Sequence, residues 1–248
     1  MPALGTHPLA TDVVFADQLQ AGTFPRANDA GALQLNSIAG TVIDSGSALF
    51  DGDSVLRANS NLSLTSGYTV AVQFNPASGG SAGRPISITW GDADYLELWS
   101  GSGFVRGRLR SGAGVADAEI ASGFTPNAWN SVAVIVTATE VYLWLNGTMS
   151  APASRVGVSP SGSDSYITVG GLSRGGGSLQ DFVPNTARVR NVILWQGGTN
   201  GAMTDTKLDQ WAADPSLPYS GGGGGSSIGA GLVQPILLQS RLRGGLVR

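Results

Sequence analysis

The stretch SVAVIVTATEVYLWL, residues 131–145, decides the fold class of this chain, because it contains two strand-forming runs rich in β-branched and aromatic residues. Three residues at 137–139 separate the runs, a spacing typical of a hairpin. Side chains alternate across a strand, so Val141, Leu143 and Leu145 share one face and two aromatic residues share the other. Because both faces are apolar, we predict an antiparallel hairpin that is buried on both sides.

The same alternation recurs on either side of this hairpin. Further strands are predicted at residues 13–15, 68–74, 85–90, 95–99, 104–110, 166–169 and 187–195. The remainder of residues 1–40 is predicted to be irregular. One helix is predicted at 204–213, where Thr204 caps the first turn and Leu208 and Trp211 lie on one side. Many short strands with one short helix predict an all-β fold, an antiparallel β-sandwich.

Composition limits the classes of function. The chain has 248 residues, of which 42% are hydrophobic and only 12% are charged, and its net charge of -3 argues against nucleic-acid binding. The absence of cysteine excludes disulfides and zinc–thiolate sites. No apolar run reaches the roughly 18 residues of a membrane span. The N-terminal residues lack the basic and apolar regions of a signal peptide, so no secretion signal is predicted.

The composition changes abruptly near the C-terminus. Residues 220–227 include five consecutive glycines, and we interpret them as a flexible linker between the sandwich of residues 1–219 and a tail of residues 228–248. The tail combines apolar and basic residues without any acidic residue, which favours a docking peptide on a partner, while a disordered terminus is the alternative. The residues predicted to dock are Leu232, Val233, Ile236, Leu237, Leu238, Arg241, Leu242, Arg243 and Arg248.

Several phrases of the sequence occur in a characteristic order. They are ALFDGDSVL (48–56), LTSGYTV (64–70), WNSVA (129–133), VYLWLNG (141–147), ITVGG (167–171) and RVRNVILW (188–195). Together they resemble the laminin G-like, concanavalin A-like jelly-roll domains, and the resemblance extends over residues 5–219. The opening HPLA at 7–10 and the segment 205–215 resemble bacteriophage and prophage members of this group. The resemblance implies a concanavalin A-like jelly roll with an extended C-terminal tail.

The resemblance also implies a function. We expect a non-enzymatic structural protein of a bacteriophage virion, such as a capsid decoration, fibre or tail component, anchored through its C-terminal tail. Its partners would then be other virion proteins, and homo-oligomers are common among such components. The alternative is a carbohydrate-binding or host-receptor-binding module of the phage tail, with a host surface glycan as ligand. A glycoside hydrolase is a more distant alternative, since this fold serves several functions.

Catalytic residues are scarce. The single histidine, His7, precedes the first predicted strand, so a Ser-His-Asp triad is not expected. Asp92, Asp94 and Glu97 resemble the catalytic strand of glucanases that share this fold, where paired carboxylates cleave the glycosidic bond. In a regular strand, however, Glu97 points away from the two aspartates, and residues 90–94 are typical of a turn. The sequence therefore predicts no enzyme.

Two kinds of binding site remain. Loop carboxylates could supply oxygen ligands to calcium, and the candidates are Asp51, Asp53, Asp92 and Asp94, although they lack EF-hand spacing. No other cofactor is predicted. Strand alternation also predicts a face that combines aromatic and basic side chains and could bind a sugar or an acidic partner. The residues of this predicted ligand face are Tyr95, Trp99, Arg106, Arg108 and Arg110.

Overall fold

The computed structural model describes residues 4–24, 26–27, 30, 33–60, 67–76, 83–101, 103–161, 165–174 and 178–219. Within them the chain forms two antiparallel sheets, a short two-stranded ribbon and one α-helix, which confirms the predicted antiparallel sandwich. The predicted linker, 220–227, and docking tail, 228–248, lie outside the described residues. None of the helices in the described part has the length and apolar character that a membrane crossing requires.

The strands are numbered in chain order. They are β1 Val13–Asp17, β2 Arg26–Ala27, β3 Gln34–Ile38, β4 Val42–Asp44, β5 Ser47–Leu49, β6 Val55–Ser60, β7 Tyr68–Asn75, β8 Gly83–Thr89, β9 Tyr95–Gly101, β10 Phe104–Ser111, β11 Gly114–Ile120, β12 Asn130–Val136, β13 Glu140–Leu145, β14 Thr148–Met149, β15 Ala153–Ser154, β16 Ser165–Val169, β17 Leu172–Ser173, β18 Leu179–Gln180 and β19 Arg188–Gln196. The helix α1 is Asp205–Ala213, and single 3-10 turns lie at Pro8–Ala10 and Leu217–Tyr219.

These strands form two large sheets. Sheet A has the order β14-β13-β12-β7-β19-β5-β4, with β1 paired to β19 and β15 paired to β13. Sheet B has the order β11-β10-β9-β8-β16-β6-β3-β2, and β17 and β18 pair only with each other. The predicted hairpin is β12–β13, with Val132 opposite Leu145 and Val136 opposite Val141.

The main core lies between the sheets. On sheet A, Val70, Val72 and Phe74 of β7 point inward, and on sheet B, Leu96 and Leu98 of β9 do so. All five side chains are at most 3% exposed. Because burial of one such side chain is worth about 1.5–3 kcal/mol, this two-sided apolar layer is the main source of the sandwich's stability.

Much of the outer face of sheet A is also buried, by residues of the N-terminal segment and of α1. Trp195 of β19 packs edge-on against Trp211 of α1, with ring centroids 6.4 Å apart. The Trp195 indole N–H donates to the backbone oxygen of Leu9, at 2.7 Å. Leu208 of α1 and Trp144 of β13 belong to the same second cluster. Sheet A is therefore apolar on both sides around Trp144 and Trp195, as the alternation in β13 predicted.

Some local predictions are wrong. Residues 34–38, predicted to be irregular, form β3, where only Leu35 is fully buried. A polar strand with one buried residue has no apolar alternation, and its pairing with β6 decides its conformation. The predicted helix is confirmed at Asp205–Ala213, but the side chain of Thr204 makes no capping hydrogen bond. Packing of Leu208 and Trp211 against sheet A holds the helix in place instead.

Candidate binding face

The outer side of strands β8 to β11 carries charged and aromatic side chains, and we call this surface the charged face. Its members are Arg84, Tyr95, Glu97, Trp99, Arg106, Arg108, Arg110, Asp117 and Glu119, together with Arg174, which follows β17 and lies over the Tyr95 ring. Alternation produces it, because Leu96 and Leu98 of β9 and Val105 and Leu109 of β10 occupy the core side of the same strands. Each outward side chain therefore stands on a rigid, buried base.

Two arginines of β10 are paired with two carboxylates of β11. Arg108 donates to both carboxylate oxygens of Asp117, at 2.8 Å each, and the two residues are directly opposite in the register. Arg106 donates through Nε and Nη2 to one carboxylate oxygen of Glu119, at 3.0 and 2.6 Å. The hydrogen bonds with Asp117 hold the pKa of Arg108 above its ordinary value, despite the opposing effect of burial. These pairs fix the two guanidinium planes above the sheet.

Glu97 lies at the centre of the charged face and is fully buried. It is 0% exposed, and its Oε2 accepts a hydrogen bond from Nε of Arg84. Its Oε1 has no hydrogen-bond partner in the described ranges and faces Nη1 of Arg108 at 3.8 Å. Arg84 also pairs with Asp181, at 2.5 Å. One buried carboxylate thus holds two arginines that come from different strands.

A β-bulge brings Arg84 to this side of the sheet. By alternation with Ile86 and Ile88, which are buried in the core, Arg84 would point inward. The register between β8 and β9 shifts between Gly83 and Ile86, which adds one residue to β8 and reverses the direction of Arg84. Pro85 occupies the bulge, where the ladder does not need its missing N–H.

The two aromatic residues of β9 differ in their accessibility. Trp99 is partly exposed, with the guanidinium carbon of Arg106 at 5.1 Å from its ring centroid and Phe104 edge-on at 5.2 Å. Tyr95 is only 2% exposed, because Arg110 and Arg174 cover its ring at 5.7 and 5.4 Å. Of the predicted ligand-face aromatics, Trp99 is therefore the ring that a ligand can reach.

The remaining carboxylate candidates lie in turns. Asp92 and Asp94 are in the turn between β8 and β9, where the Asp94 carboxylate accepts a hydrogen bond from the backbone N–H of Gly112, at 3.1 Å. Asp51 accepts from the backbone N–H of Asp53, at 3.2 Å, in the turn before β6. Across the described ranges, no group of three or more His, Asp or Glu side chains is arranged to hold a metal ion.

Sequence reasoning missed several residues of this face. Arg84, Asp117, Glu119 and Arg174 were not among the predicted ligand residues, and β11 was not predicted as a strand. A signal was present for β11, since Asp117 and Glu119 alternate with two alanines after the turn that follows the arginines of β10. Oppositely charged residues at matching steps of a hairpin favour cross-strand pairs. No comparable signal in the sequence marks the bulge at Arg84.

Structural comparison gives relatives of the same fold. Domain 4 of AbnA, a GH43 extracellular arabinanase from Geobacillus stearothermophilus solved with arabinotriose, matches with a TM-score of 0.54 at 14% identity, covering 80% of this chain and 86% of that one. The botulinum neurotoxin serotype D binding domain matches with a TM-score of 0.65 at 9% identity, covering 84% of this chain. The chain spans only 52% of that domain.

A second botulinum structure, the serotype D ligand-binding domain in complex with N-acetylneuraminic acid, has a TM-score of 0.61 at 9% identity and covers 81% of this chain and 50% of that one. At such low identity these matches establish the fold alone. No curated protein sequence matches the chain.

A laminin G family model matches residues 50–197, which run from the end of β5 to the end of β19 and contain all strands of the charged face. The match covers more than half of the 248 residues and agrees with the two-sheet topology. The chain therefore belongs to the concanavalin A-like lectin/glucanases superfamily.

Proposed function

We propose that this chain is a non-catalytic binding domain whose charged face recognises a carbohydrate. One asymmetry of the sandwich carries the proposal. Much of the outer face of sheet A is covered by the N-terminal segment and α1, with Leu9, Trp195 and Trp211 all buried. Among the described residues, no terminal segment or helix covers the charged face, and Trp99, Arg106 and Arg108 remain partly exposed there.

The chemistry of the face suits a sugar. Trp99 provides an apolar ring surface, and aromatic side chains combine a large contact area with a fixed geometry. The guanidinium of Arg106 and the carboxylate of Glu119 beside it provide donors and acceptors for hydroxyl groups. Because their mutual hydrogen bonds already fix both groups, little side-chain entropy is lost on binding. Two of the structurally similar proteins were solved with carbohydrate ligands, which supports the same ligand class.

Burial of Glu97 supports a non-catalytic role. A glycosidase carboxylate must contact the scissile bond, either as an acid or as a nucleophile. Glu97 is 0% exposed and lies beneath the guanidiniums of Arg84 and Arg108. We assign it a positioning role, in which it fixes the arginines that frame Trp99.

A glycan array with the full chain, followed by calorimetry on the best oligosaccharide, tests the proposal. We expect the Trp99→Ala variant to bind at least tenfold more weakly, equivalent to about 1.4 kcal/mol. The matched control is Trp129→Ala, because Trp129 is also partly buried beneath an arginine, Arg190 at 4.0 Å, but lies directly before β12 of sheet A. Equal losses in both variants, or no glycan bound by the parent chain, would contradict the proposal. Release of sugar products would contradict the non-catalytic role.

We further propose that the domain is carried on a bacteriophage virion and attached through residues 228–248. The apolar and basic composition of these residues, after the glycine linker of 220–227, supports this proposal. In this arrangement the other virion proteins hold the tail, and the charged face is available for a host surface glycan. Deletion of 228–248 should abolish association with purified particles, measured by mass spectrometry, without changing glycan affinity. Particles that retain the deleted form would contradict this attachment.

A further inference from the structure

Two arginines at one end of the charged face differ from all the others on it. Arg110 is the seventh residue of β10, Arg174 follows β17, and both guanidiniums lie over the ring of Tyr95, at 5.7 and 5.4 Å from its centroid. Together they hold Tyr95 at 2% exposure. Two segments that are distant in sequence thus bring two cations to a single ring.

Neither of these cations is neutralised by a carboxylate. Arg110 donates to the backbone oxygen of Gly112, at 3.0 Å, and to the phenol oxygen of Tyr95, at 3.3 Å. Arg174 donates to Oε1 of Gln180, at 2.8 Å, and to the backbone oxygen of Asp92, at 2.9 Å. Within the described residues, neither forms a salt bridge. By contrast, Arg84, Arg106 and Arg108 each pair with at least one acid.

In the described part of the chain, the acidic residues of the adjacent turn form no salt bridge with either arginine. The Asp94 carboxylate is used by the backbone N–H of Gly112, and Asp92 contributes a backbone oxygen rather than its carboxylate to Arg174. Two like charges that share a ring repel each other, and an anion placed between them would remove that repulsion. Guanidinium groups also bind carboxylate and sulfate oxygens through paired N–H donors.

Arg110 and Arg174 lie on the same side of the sheet as Trp99, the proposed sugar-binding residue. Tyr95 and Trp99 lie on one face of β9, four residues apart, which corresponds to about 13 Å along the strand. An oligosaccharide with one ring on Trp99 could therefore place a substituent near Tyr95. We infer that Arg110 and Arg174 form an anion subsite for a carboxylate or sulfate group of an acidic glycan. This inference rests on the proposed carbohydrate-binding function of the charged face.

The subsite can be tested without knowing the glycan. Nuclear magnetic resonance of the arginine Nε–H groups in the full chain is recorded while sodium sulfate, and separately sodium acetate, is titrated in at constant ionic strength. We expect saturable shifts at Arg110 and Arg174, and no saturable shift at Arg106 or Arg108, whose donors are occupied by acids. A stronger response to sulfate than to acetate would indicate a sulfate ester, and the reverse would indicate a carboxylate.

Substitutions of the two arginines provide a second test of the anion subsite. Arg110→Gln with Arg174→Gln should reduce the preference for acidic over neutral oligosaccharides on the array at least tenfold, while binding through Trp99 continues. Lys207→Gln removes one charge from α1, on the opposite side of the molecule, and should change nothing. Sulfate and acetate titrations that never saturate, or that shift all arginines alike, would overturn the subsite. A chain that binds no glycan but responds to sulfate would overturn only the proposed function.

Discussion

At the scale of single residues, Glu97 is a buried carboxylate with one oxygen that has no hydrogen-bond partner among the described residues. Removing one partner of a buried ion pair is costly, because the other charge remains desolvated. Its two arginines keep other partners, Asp181 and Asp117, so the cost is smaller than for an isolated pair. The benefit of Glu97 is therefore geometric, since it aligns Arg84 and Arg108.

We predict that Glu97→Gln lowers the free energy of unfolding by about 1–3 kcal/mol, measured by urea denaturation. Glu119→Gln is the matched control, because Glu119 also pairs with an arginine but its side chain is 40% exposed. We expect Glu119→Gln to lower the free energy of unfolding by less than about 1 kcal/mol, as for other exposed ion pairs. Equal effects of the two substitutions would show that burial of Glu97 has no energetic consequence.

Tyr68 provides a second prediction at this scale. Burial raises the pKa of its phenol well above the ordinary value of 10.0. Above pH 10 the unfolded chain therefore loses this proton while the folded chain keeps it, so stability falls as pH rises, by up to about 1.4 kcal/mol per pH unit. Tyr68→Phe should be less sensitive to alkali between pH 10 and 11.5 in thermal melts. A Tyr68→Phe variant with the same alkaline sensitivity as the parent chain would contradict this contribution.

At the scale of elements, the hairpin β10–β11 depends on its charge register. Arg106 lies opposite Glu119 and Trp99, whereas Arg108 lies opposite Asp117 and the buried Glu97. Both pairs have the same local chemistry, but their other neighbours differ. The two pairs should therefore respond differently to an exchange of charges across the hairpin.

We predict that exchanging the first pair, Arg106→Glu with Glu119→Arg, changes the free energy of unfolding by less than about 1 kcal/mol. Exchanging the second pair, Arg108→Asp with Asp117→Arg, places a new carboxylate beside Glu97, and like charges in a buried site are costly. We expect this exchange to lower the midpoint of thermal unfolding by several degrees more than the first. If both exchanges change the midpoint of thermal unfolding equally, the charge of Glu97 does not affect which residue is stable at position 108.

At the scale of the whole molecule, the distance between the two sheets depends on a residue without a side chain. A Cβ atom at Gly107 of β10 would lie 2.9 Å from Cγ2 of Val134, which belongs to β12 in sheet A. Gly107 occupies an inward position between Arg106 and Arg108, so the same residue controls the sheet separation and the base of the charged face. The glycine is required by close approach of the two layers.

We predict that Gly107→Ala destabilises the protein by about 1–3 kcal/mol through overpacking. Adding Val134→Ala should recover part of this loss, because the alanine removes the two methyl groups that the new Cβ would meet. A double-mutant cycle in urea measures the coupling. Additive effects of the two substitutions would contradict direct contact between the layers at this point.

The amino-acid sequence by itself determined the fold class and most strands of the core. Alternation of apolar residues in β7, β9, β10, β12 and β13 is a local property, because side chains project to opposite sides of every strand. The aromatic residues of β13 predicted burial on both sides, and Trp144 is 1% exposed on the outer side of sheet A. The phrases distributed from residue 48 to 195 were sufficient to indicate the family.

The sequence predicted five residues of the candidate site, but only the tertiary structure decided which residues surround them there. Arg84 reaches Glu97 through a bulge whose position depends on pairing between two strands, and pairing is not encoded by alternation within either one. Arg174 reaches Tyr95 from a segment 79 positions further along the chain, and contact over that separation depends on sheet order. Sequence pattern thus sets the face on which a side chain lies, whereas strand order and register set its neighbours across that face.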